Sequence, residues 1–277
     1  MLRKLSLGCK AVVRILAVTN QKGGVGKTTT SINLAASLAR MQKRVLLVDL
    51  DPQGNATMGS GIDKNALERS IYDVLTGQCT AASASVAADL AGYTLLPANS
   101  DLTAAEVELL QVDDKEQRLT RALAGLGADF DFIVIDCPPS LNMLTLNALV
   151  AADGVLIPMQ CEYYALEGLT ALSETIDAVQ SALNPRLRIE GILRTMFDPR
   201  NNLTQQVSDQ LKQHFADAVY RTVIPRNVRL AEAPSHGLPV IAYDKASSGA
   251  LAYLSLAGEL LRRETGGAAV PATETEA

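Results

Sequence analysis

One stretch of eight residues combines glycines, lysines and threonines in an order suited to holding phosphate. It reads KGGVGKTT and consists of Lys22, Gly23, Gly24, Val25, Gly26, Lys27, Thr28 and Thr29. Backbone N–H groups of a glycine-rich turn that opens a helix converge on phosphate oxygens, Lys27 adds positive charge and the Thr28 hydroxyl can ligate Mg²⁺. Gln21 stands where the common pattern has glycine, and Lys22 adds a second lysine inside the loop. We predict a phosphate-binding loop here rather than a glycine-rich turn that binds nothing.

Acidic residues end two other apolar runs. Asp136 closes the run FIVID, and an acid at the carboxyl end of a strand beside the loop can hold Mg²⁺, directly or through water. Asp49 and Asp51 lie in VDLDPQGNAT, where Asp51 falls in a turn. Phosphoryl transfer to water needs a group that orients or deprotonates the water, and we predict that Asp51 does so. Asp49 is expected to be buried and hydrogen-bonded or in the magnesium's outer shell, and turn capping is the structural alternative for each acid.

Short apolar runs alternate with longer helical patterns along the chain. RVLLVDL and FIVIDC are apolar on both faces, which is typical of parallel strands covered by helices on each side. The predicted strands cover residues 12–19, 44–51, 93–98, 130–138, 154–160, 188–197, 218–225 and 240–244. The predicted helices cover residues 27–41, 102–110, 115–126, 165–183, 203–215 and 247–264. This alternation predicts an α/β fold with a doubly wound, mostly parallel sheet flanked by helices.

Length, composition and charge limit the class of protein. The chain has 277 residues, 48% hydrophobic and 20% charged, which is typical of a globular protein rather than a disordered one. We predict an N-terminal tail over residues 1–13, one domain over 14–264 and a disordered acidic tail over 265–277.

The four cysteines are scattered without a CxxC pair, which argues against zinc or disulfides. No apolar run approaches about 18 residues, so we expect no transmembrane helix and a cytoplasmic protein.

Five motifs together resemble one family of ATPases. The loop KGGVGKTT, the segment LLVDLDPQGNAT and the strand FIVIDCPPS are similar to the deviant Walker A ATPases, which include nitrogenase iron protein and the Min cell-division ATPase. PMQCEYYALEGL at 158–169 and TVIPRNVRLAEAPSHGLPVIAYD at 222–244 narrow the resemblance to the ParA/Soj chromosome-partitioning ATPases. The resemblance covers residues 15–261, and the short segment before the first strand is similar to the chromosomal type, which lacks an operator-binding module.

The resemblance implies a P-loop ATPase that uses ATP and Mg²⁺ and converts ATP and water to ADP and phosphate. In this family two subunits enclose two ATP molecules, and the lysine at position 22 reaches the partner's nucleotide as an arginine finger would. Asp51 matches the family's water-positioning residue, and Pro225 and Asn227 match the stretch that contacts adenine. The ATP-bound homodimer binds double-stranded DNA nonspecifically, and a ParB-like centromere-binding protein stimulates hydrolysis and releases it. We therefore expect association with the nucleoid.

Two arginines match positions where family members carry DNA-contacting residues: Arg200, in FDPRNN, and Arg229, in RNVRLAE. Arg221, Arg226 and Lys245 are weaker candidates. The alternative is that such arginines on an acidic protein are solvated or salt-bridged. Residues 186–249 carry nine Lys/Arg and six Asp/Glu within a chain of net charge −5, so a dimer would double a small basic patch.

Other functions share this fold. A Min-type spatial regulator ends in a basic amphipathic helix that lies on lipid, whereas this chain ends RRETGGAAVPATETEA, so we expect no membrane partner. An ATP-dependent metabolic ligase would need a further substrate pocket. An iron–sulfur reductase would need paired cysteines, and Cys137 and Cys161 do not match that pattern; Cys137 is expected in the core. Tyr163 and Tyr164 are expected either to pack or to line an interface.

Overall fold

The computed structural model describes residues 13–266 of the chain. Within them the strands are β1 (Arg14–Val18), β2 (Val45–Asp49), β3 (Val86–Ala88), β4 (Tyr93–Leu96), β5 (Phe132–Asp136), β6 (Gly154–Gln160), β7 (Arg188–Phe197) and β8 (Val219–Pro225). The helices are α1 (Lys27–Arg40), α2 (Asn55–Gly59), α3 (Ile71–Leu75), α4 (Ala81–Ala84), α5 (Leu102–Glu108), α6 (Arg118–Ala124), α7 (Met143–Ala151), α8 (Ala165–Ala182), α9 (Asn202–Phe215), α10 (Val228–Glu232), α11 (Val240–Tyr243) and α12 (Ser248–Gly266). Residues 1–12 and 267–277, which carry most of the two predicted tails, lie outside the described part.

The strands form one sheet in the order β3-β4-β2-β5-β1-β6-β7-β8. Neighbouring strands run parallel, except that β3 pairs antiparallel with β4 at one edge. The prediction of a doubly wound, mostly parallel sheet is therefore confirmed. The chain moves from β1 toward β2 on one side, while β6 lies on the other side of β1, and ligands bind at such a reversal outside the carboxyl ends of the strands.

Both faces of the sheet are buried because successive side chains of each strand point to opposite sides. Ala17 of β1 joins a core built with α5, α6, α7, α8 and α9, whereas Leu16 and Val18 join a second core built with α1 and α12. The central strands β2 and β5 are buried along their whole length. These two layers fix the strand ends, and the strand ends carry the acidic residues noted in the sequence.

The structure differs from the prediction in several places, since one predicted strand is a helix and the short elements β3, α2, α3, α4, α7 and α10 were not predicted. Residues 240–244, predicted as a strand, form the short helix α11 instead. Pro239 precedes this helix, and the Val240 N–H donates to the Asn33 side chain at 2.7 Å rather than to a neighbouring strand. Helix α7 was not predicted, because it is apolar nearly all round and shows no 3.6-residue period. The Asn142 side chain caps it by accepting from Thr145 N.

Candidate functional site

The predicted phosphate loop joins β1 to α1 at the carboxyl edge of the sheet. Gly24 and Gly26 have φ of 73° and 89°, a left-handed conformation that glycine adopts without strain. A side chain added at Gly23 or Gly24 would meet no atom within 4 Å. Packing against neighbouring atoms therefore does not require these glycines.

The two lysines of the loop are placed differently. Lys27 is 7% exposed, and its Nζ donates to the Lys22 carbonyl at 3.1 Å, across the loop. Burial lowers the pKa of Lys27, and the nearby Asp136 carboxylate opposes this shift. The Lys22 side chain is 45% exposed and forms an ion pair with Glu162, which follows β6. One lysine is therefore held inside the loop, and the other is held at its surface.

Asp136 lies at the end of β5, beside the loop, with 0% exposure. Its Oδ1 accepts from the Ser31 hydroxyl at 2.8 Å, and its Oδ2 has no partner among the described residues. Burial raises the pKa of Asp136, and the neighbouring Asp49 charge raises it further. A buried carboxylate oxygen without a partner beside a lysine and a threonine fits a hard cation such as Mg²⁺. Sequence reasoning missed Ser31, although it lies one turn beyond Lys27 on α1.

Asp49 faces Asp136 across the β2–β5 pairing and is equally buried. Its Oδ1 accepts from Asp51 N at 3.2 Å, and its Oδ2 accepts from the Thr57 N–H and hydroxyl at 2.8 and 2.7 Å. Burial raises the pKa of Asp49, against these hydrogen bonds. Both carboxylate oxygens of Asp49 accept hydrogen bonds, so the expectation of a buried, hydrogen-bonded carboxylate is confirmed.

Asp51 lies two residues past the end of β2 and is 8% exposed. Its Oδ1 accepts from Gln53 N at 2.9 Å, so it caps its own turn. The structure thus shows the contact expected of the structural alternative. The role of Asp51 in orienting water stays a prediction.

A cavity of about 200 Å³ opens beside the loop. Its lining includes Gly26 and Thr29, together with Pro225 at the end of β8 and Asn227 two residues beyond it. Asn227 also caps α10 by accepting from Arg229 N and donates to the Ser248 hydroxyl at 2.8 Å. The fold therefore brings both residues predicted to contact adenine next to the phosphate loop, although the contact itself stays a prediction.

The arginines predicted to contact DNA lie on exposed loops and short helices. Arg200 is 88% exposed in its side chain, and its guanidinium donates to both oxygens of Asp198 at 2.9 and 2.8 Å. This pairing lowers the pKa of Asp198 to about 2. Arg229 pairs with Glu232 at 2.8 Å and with Asp244 at 3.4 Å. Both arginines are salt-bridged, as the alternative expected, and their contact with DNA stays a prediction.

Three smaller expectations have clear outcomes. Cys137 is 1% exposed and lies in the core, as predicted. Tyr163 and Tyr164 are 75% and 70% exposed and contact each other edge to face, so a buried packing role is wrong for them. No helix in residues 13–266 combines the length and apolarity needed to cross a membrane.

A doubly wound parallel sheet with a lysine-bearing glycine loop after its first strand defines a P-loop NTPase, and the second lysine marks the deviant Walker A class. Residues 13–189 match the family model described as an AAA domain. The chain is 53% identical over 258 residues to the chromosome partitioning protein ParA of Myxococcus xanthus, covering 93% of this chain and 91% of that protein. It is 55% identical over 247 residues to the sporulation initiation inhibitor protein Soj of Bacillus subtilis, covering 89% and 98%. The chain belongs to the ParA/Soj family of chromosome-partitioning ATPases.

A solved structure agrees with this site. The cobyrinic acid a,c-diamide synthase of Mycobacterium smegmatis, crystallised with a bound ATP analog and magnesium, superposes with a TM-score of 0.79 at 43% identity. The match covers 92% of this chain and 97% of that one. A related chain with this fold thus binds both an ATP analog and magnesium.

Proposed function

We propose that this protein is an ATP-dependent partitioning ATPase whose ATP-bound homodimer carries DNA and is released by hydrolysis. The proposal rests on the different placement of the two lysines of the phosphate loop, Lys27 and Lys22. Lys27 is buried and reaches across its own loop, so it serves the nucleotide of its own subunit. Lys22 is exposed and pairs only with the surface carboxylate of Glu162, so its ammonium can exchange that partner for a nucleotide held by a second copy.

In each subunit the loop N–H groups and Lys27 bind the phosphates of ATP, and Pro225 and Asn227 face the adenine. Thr28 and Asp136 would hold Mg²⁺, which when bound neutralises charge on the phosphate oxygens. Asp51 accepts a hydrogen bond from the attacking water and orients it toward the γ-phosphate. Lys22 of the partner subunit adds the positive charge that the transition state needs, in the manner of an arginine finger.

For Lys22 to reach a second subunit, its ion pair with Glu162 must break. Both side chains are about half exposed, and exposed pairs of this kind are weak, so a nucleotide phosphate can compete with the carboxylate. Tyr163 and Tyr164 follow Glu162 and present their rings to solvent beside it. We place the dimer contact at this face, which also carries the open side of the loop.

The DNA contact comes from Arg200 and Arg229 of both subunits, and it is directed at phosphates rather than bases. In a single subunit both of these guanidiniums are already paired with carboxylates, so binding depends on the two copies that the dimer brings together. Hydrolysis separates the subunits and releases DNA, and a ParB-like partner stimulates that step. Relatives named for partitioning support this proposal over the alternative of a Min-type spatial regulator.

The test measures binding of a fluorescent DNA duplex and ATP hydrolysis with no nucleotide, Mg-ADP and Mg-ATP. We expect DNA binding at least about tenfold tighter with ATP than with ADP, equal for duplexes of unrelated sequence, and hydrolysis accelerated by the neighbouring ParB-like protein. DNA binding that is independent of nucleotide would contradict the proposal.

Two matched variants test whether Lys22 acts on the nucleotide of the partner subunit. Lys22→Ala should still bind nucleotide but lose stimulated hydrolysis, because the partner's site lacks its charge. Glu162→Gln removes only the partner of that lysine and should retain stimulated hydrolysis. Unimpaired stimulated turnover by Lys22→Ala alone would show that Lys22 does not act across the dimer.

A further inference from the structure

We propose that Thr195, near the end of β7, is a positioning residue that holds the phosphate loop in its anion-binding conformation. The inference rests on the proposed function, since it concerns the loop that binds ATP. It adds to that function a residue from a strand far away in sequence, outside every motif of the phosphate site. Thr195 does not touch the reacting atoms in this proposal; it acts through the main chain of the loop.

The contact is a buried hydrogen bond between two distant segments. The Thr195 hydroxyl donates to the Val25 carbonyl at 2.8 Å, and the two residues are 3% and 1% exposed. A buried carbonyl left without a donor is costly, so this bond strongly favours one orientation of the Val25 carbonyl. No charged group is involved, and the contact is not screened by solvent.

Fixing that carbonyl also fixes the next N–H group. The described residues contain no cis peptide bonds, so the Val25–Gly26 peptide is planar and trans, and its C=O and N–H point in opposite directions. With the carbonyl directed at Thr195, the Gly26 N–H must point away from β7. Gly26 directly precedes Lys27 and α1, where N–H groups that point outward attract anions.

A flip of the same peptide would have the reverse effect. Gly26, in the left-handed region with φ of 89°, has no Cβ to resist such a flip, so its neighbour's orientation must be set by an outside contact. A flipped peptide would direct a carbonyl oxygen, with its partial negative charge, at the phosphates. Thr195 supplies the outside contact.

The strand carrying Thr195 is irregular at this point. Met196 has φ of 47°, which is strained for a residue with a side chain, and the pairing of β7 with β8 shifts register between Arg194 and Phe197. Thr195 and Met196 both line the cavity beside Gly26, although consecutive residues of a regular strand face opposite sides. At this strained residue β7 places two successive residues against the cavity, and strain that persists in a fold commonly serves a site.

The test compares two substitutions at this position. Thr195→Val keeps the shape but removes the donor, and Thr195→Ser keeps the donor but removes a methyl group. We expect Thr195→Val to weaken the affinity for Mg-ATP about tenfold and Thr195→Ser to remain within about twofold of wild type. Thr76→Val is the control, because the half-buried Thr76 hydroxyl also donates to a main-chain carbonyl, that of Tyr72 at 2.9 Å, at the end of α3 and outside the loop. It should bind Mg-ATP as wild type does.

A second measurement needs no nucleotide. In protein labelled with ¹⁵N-glycine, the Gly26 amide should give one sharp signal in wild type and Thr195→Ser, and a doubled or broadened signal in Thr195→Val. Wild-type ATP affinity in Thr195→Val, or an equal loss in Thr195→Ser, would overturn the positioning role. If wild-type protein bound no Mg-ATP, the proposed function would fail, and the Gly26 signal would still decide the role of Thr195.

Discussion

The phosphate loop and the arginine surface, which consists of Arg200 and Arg229, differ in the burial and the hydrogen-bond partners of their charged side chains. Lys27 is 7% exposed and bonded to the main chain of its own loop, whereas the Arg200 side chain is 88% exposed and bonded to a neighbouring carboxylate. The loop is built from long-range contacts, such as the one from Thr195 to Val25. The contacts of Arg200 and Arg229 are mostly local, to Asp198 two residues away and to Glu232 three residues away.

This difference predicts how each region responds to its ligand. The loop already holds its lysine and its N–H groups in place, so binding costs little reorganisation, and a change there removes most of the affinity. Each arginine must exchange a carboxylate for a DNA phosphate, so a single arginine contributes a modest, salt-sensitive share. Substitutions in the two regions should therefore differ in size and in salt dependence.

The largest effect is expected for Lys27→Ala. The substitution deletes a nearly buried charge that we propose to contact the phosphates, and we expect at least about a hundredfold loss of affinity for Mg-ATP, measured by calorimetry. Lys64→Ala is the matched control, since the Lys64 ammonium also donates to a main-chain carbonyl, that of Gln53 at 2.6 Å, but outside the loop. Wild-type affinity in Lys27→Ala would show that the loop is not the nucleotide site.

An intermediate effect is expected for Asp51→Ala. The phosphate loop stays intact while the group proposed to orient water is lost, so ATP should bind and hydrolysis should fall, leaving a persistent dimer by sedimentation with Mg-ATP. Asp63→Ala is the control, because Asp63 caps a turn in the same way, accepting from Asn65 N at 2.9 Å as Asp51 does from Gln53 N. If both variants behaved alike, or Asp51→Ala stayed monomeric with ATP, Asp51 would be only a turn cap.

The sequence alone predicted the loop, its acids and the sheet because local patterns specify them. KGGVGKTT after a strand fixes the loop, and apolar runs that end in acids place Asp49 and Asp136 at one edge of a parallel sheet. The prediction for Asp49 was a buried, hydrogen-bonded carboxylate or a residue of the magnesium's outer shell, and both of its oxygens accept hydrogen bonds.

Other features were beyond sequence reasoning because they depend on contacts between distant segments. Thr195 meets Val25 across 170 positions, and Lys22 meets Glu162 across 140, so no local pattern indicates either pair. Residues 240–244 were predicted to form a strand because they are largely apolar. In the structure the Val240 N–H donates to the Asn33 side chain on α1, and the segment forms the helix α11. This limit does not apply to the main ion pairs of Arg200 and Arg229, because Asp198 and Glu232 lie only two and three residues away.

The smallest effects are expected on the arginine surface, and an acidic neighbour supplies a matched pair of variants. Arg200→Ala and Arg229→Ala should each weaken DNA binding by the ATP-bound dimer without changing dimerisation, equally for any duplex sequence. Loss of one phosphate contact from each of two subunits should flatten the slope of log affinity against log salt by about two. Asp198→Asn should do the opposite and strengthen DNA binding, since it releases the Arg200 guanidinium from the carboxylate that now takes both of its bonds.

Fluorescence anisotropy with Mg-ATP over a series of salt concentrations measures all three variants. A loss that varied with base sequence would indicate direct base reading and contradict a nonspecific carrier. Unchanged binding in both arginine variants would move the DNA surface to Arg221, Arg226 and Lys245. If Asp198→Asn strengthened binding while Arg200→Ala left it unchanged, the gain would come from lost negative charge alone, and Arg200 would not contact DNA. The salt slope separates these cases because it counts phosphate contacts rather than total affinity.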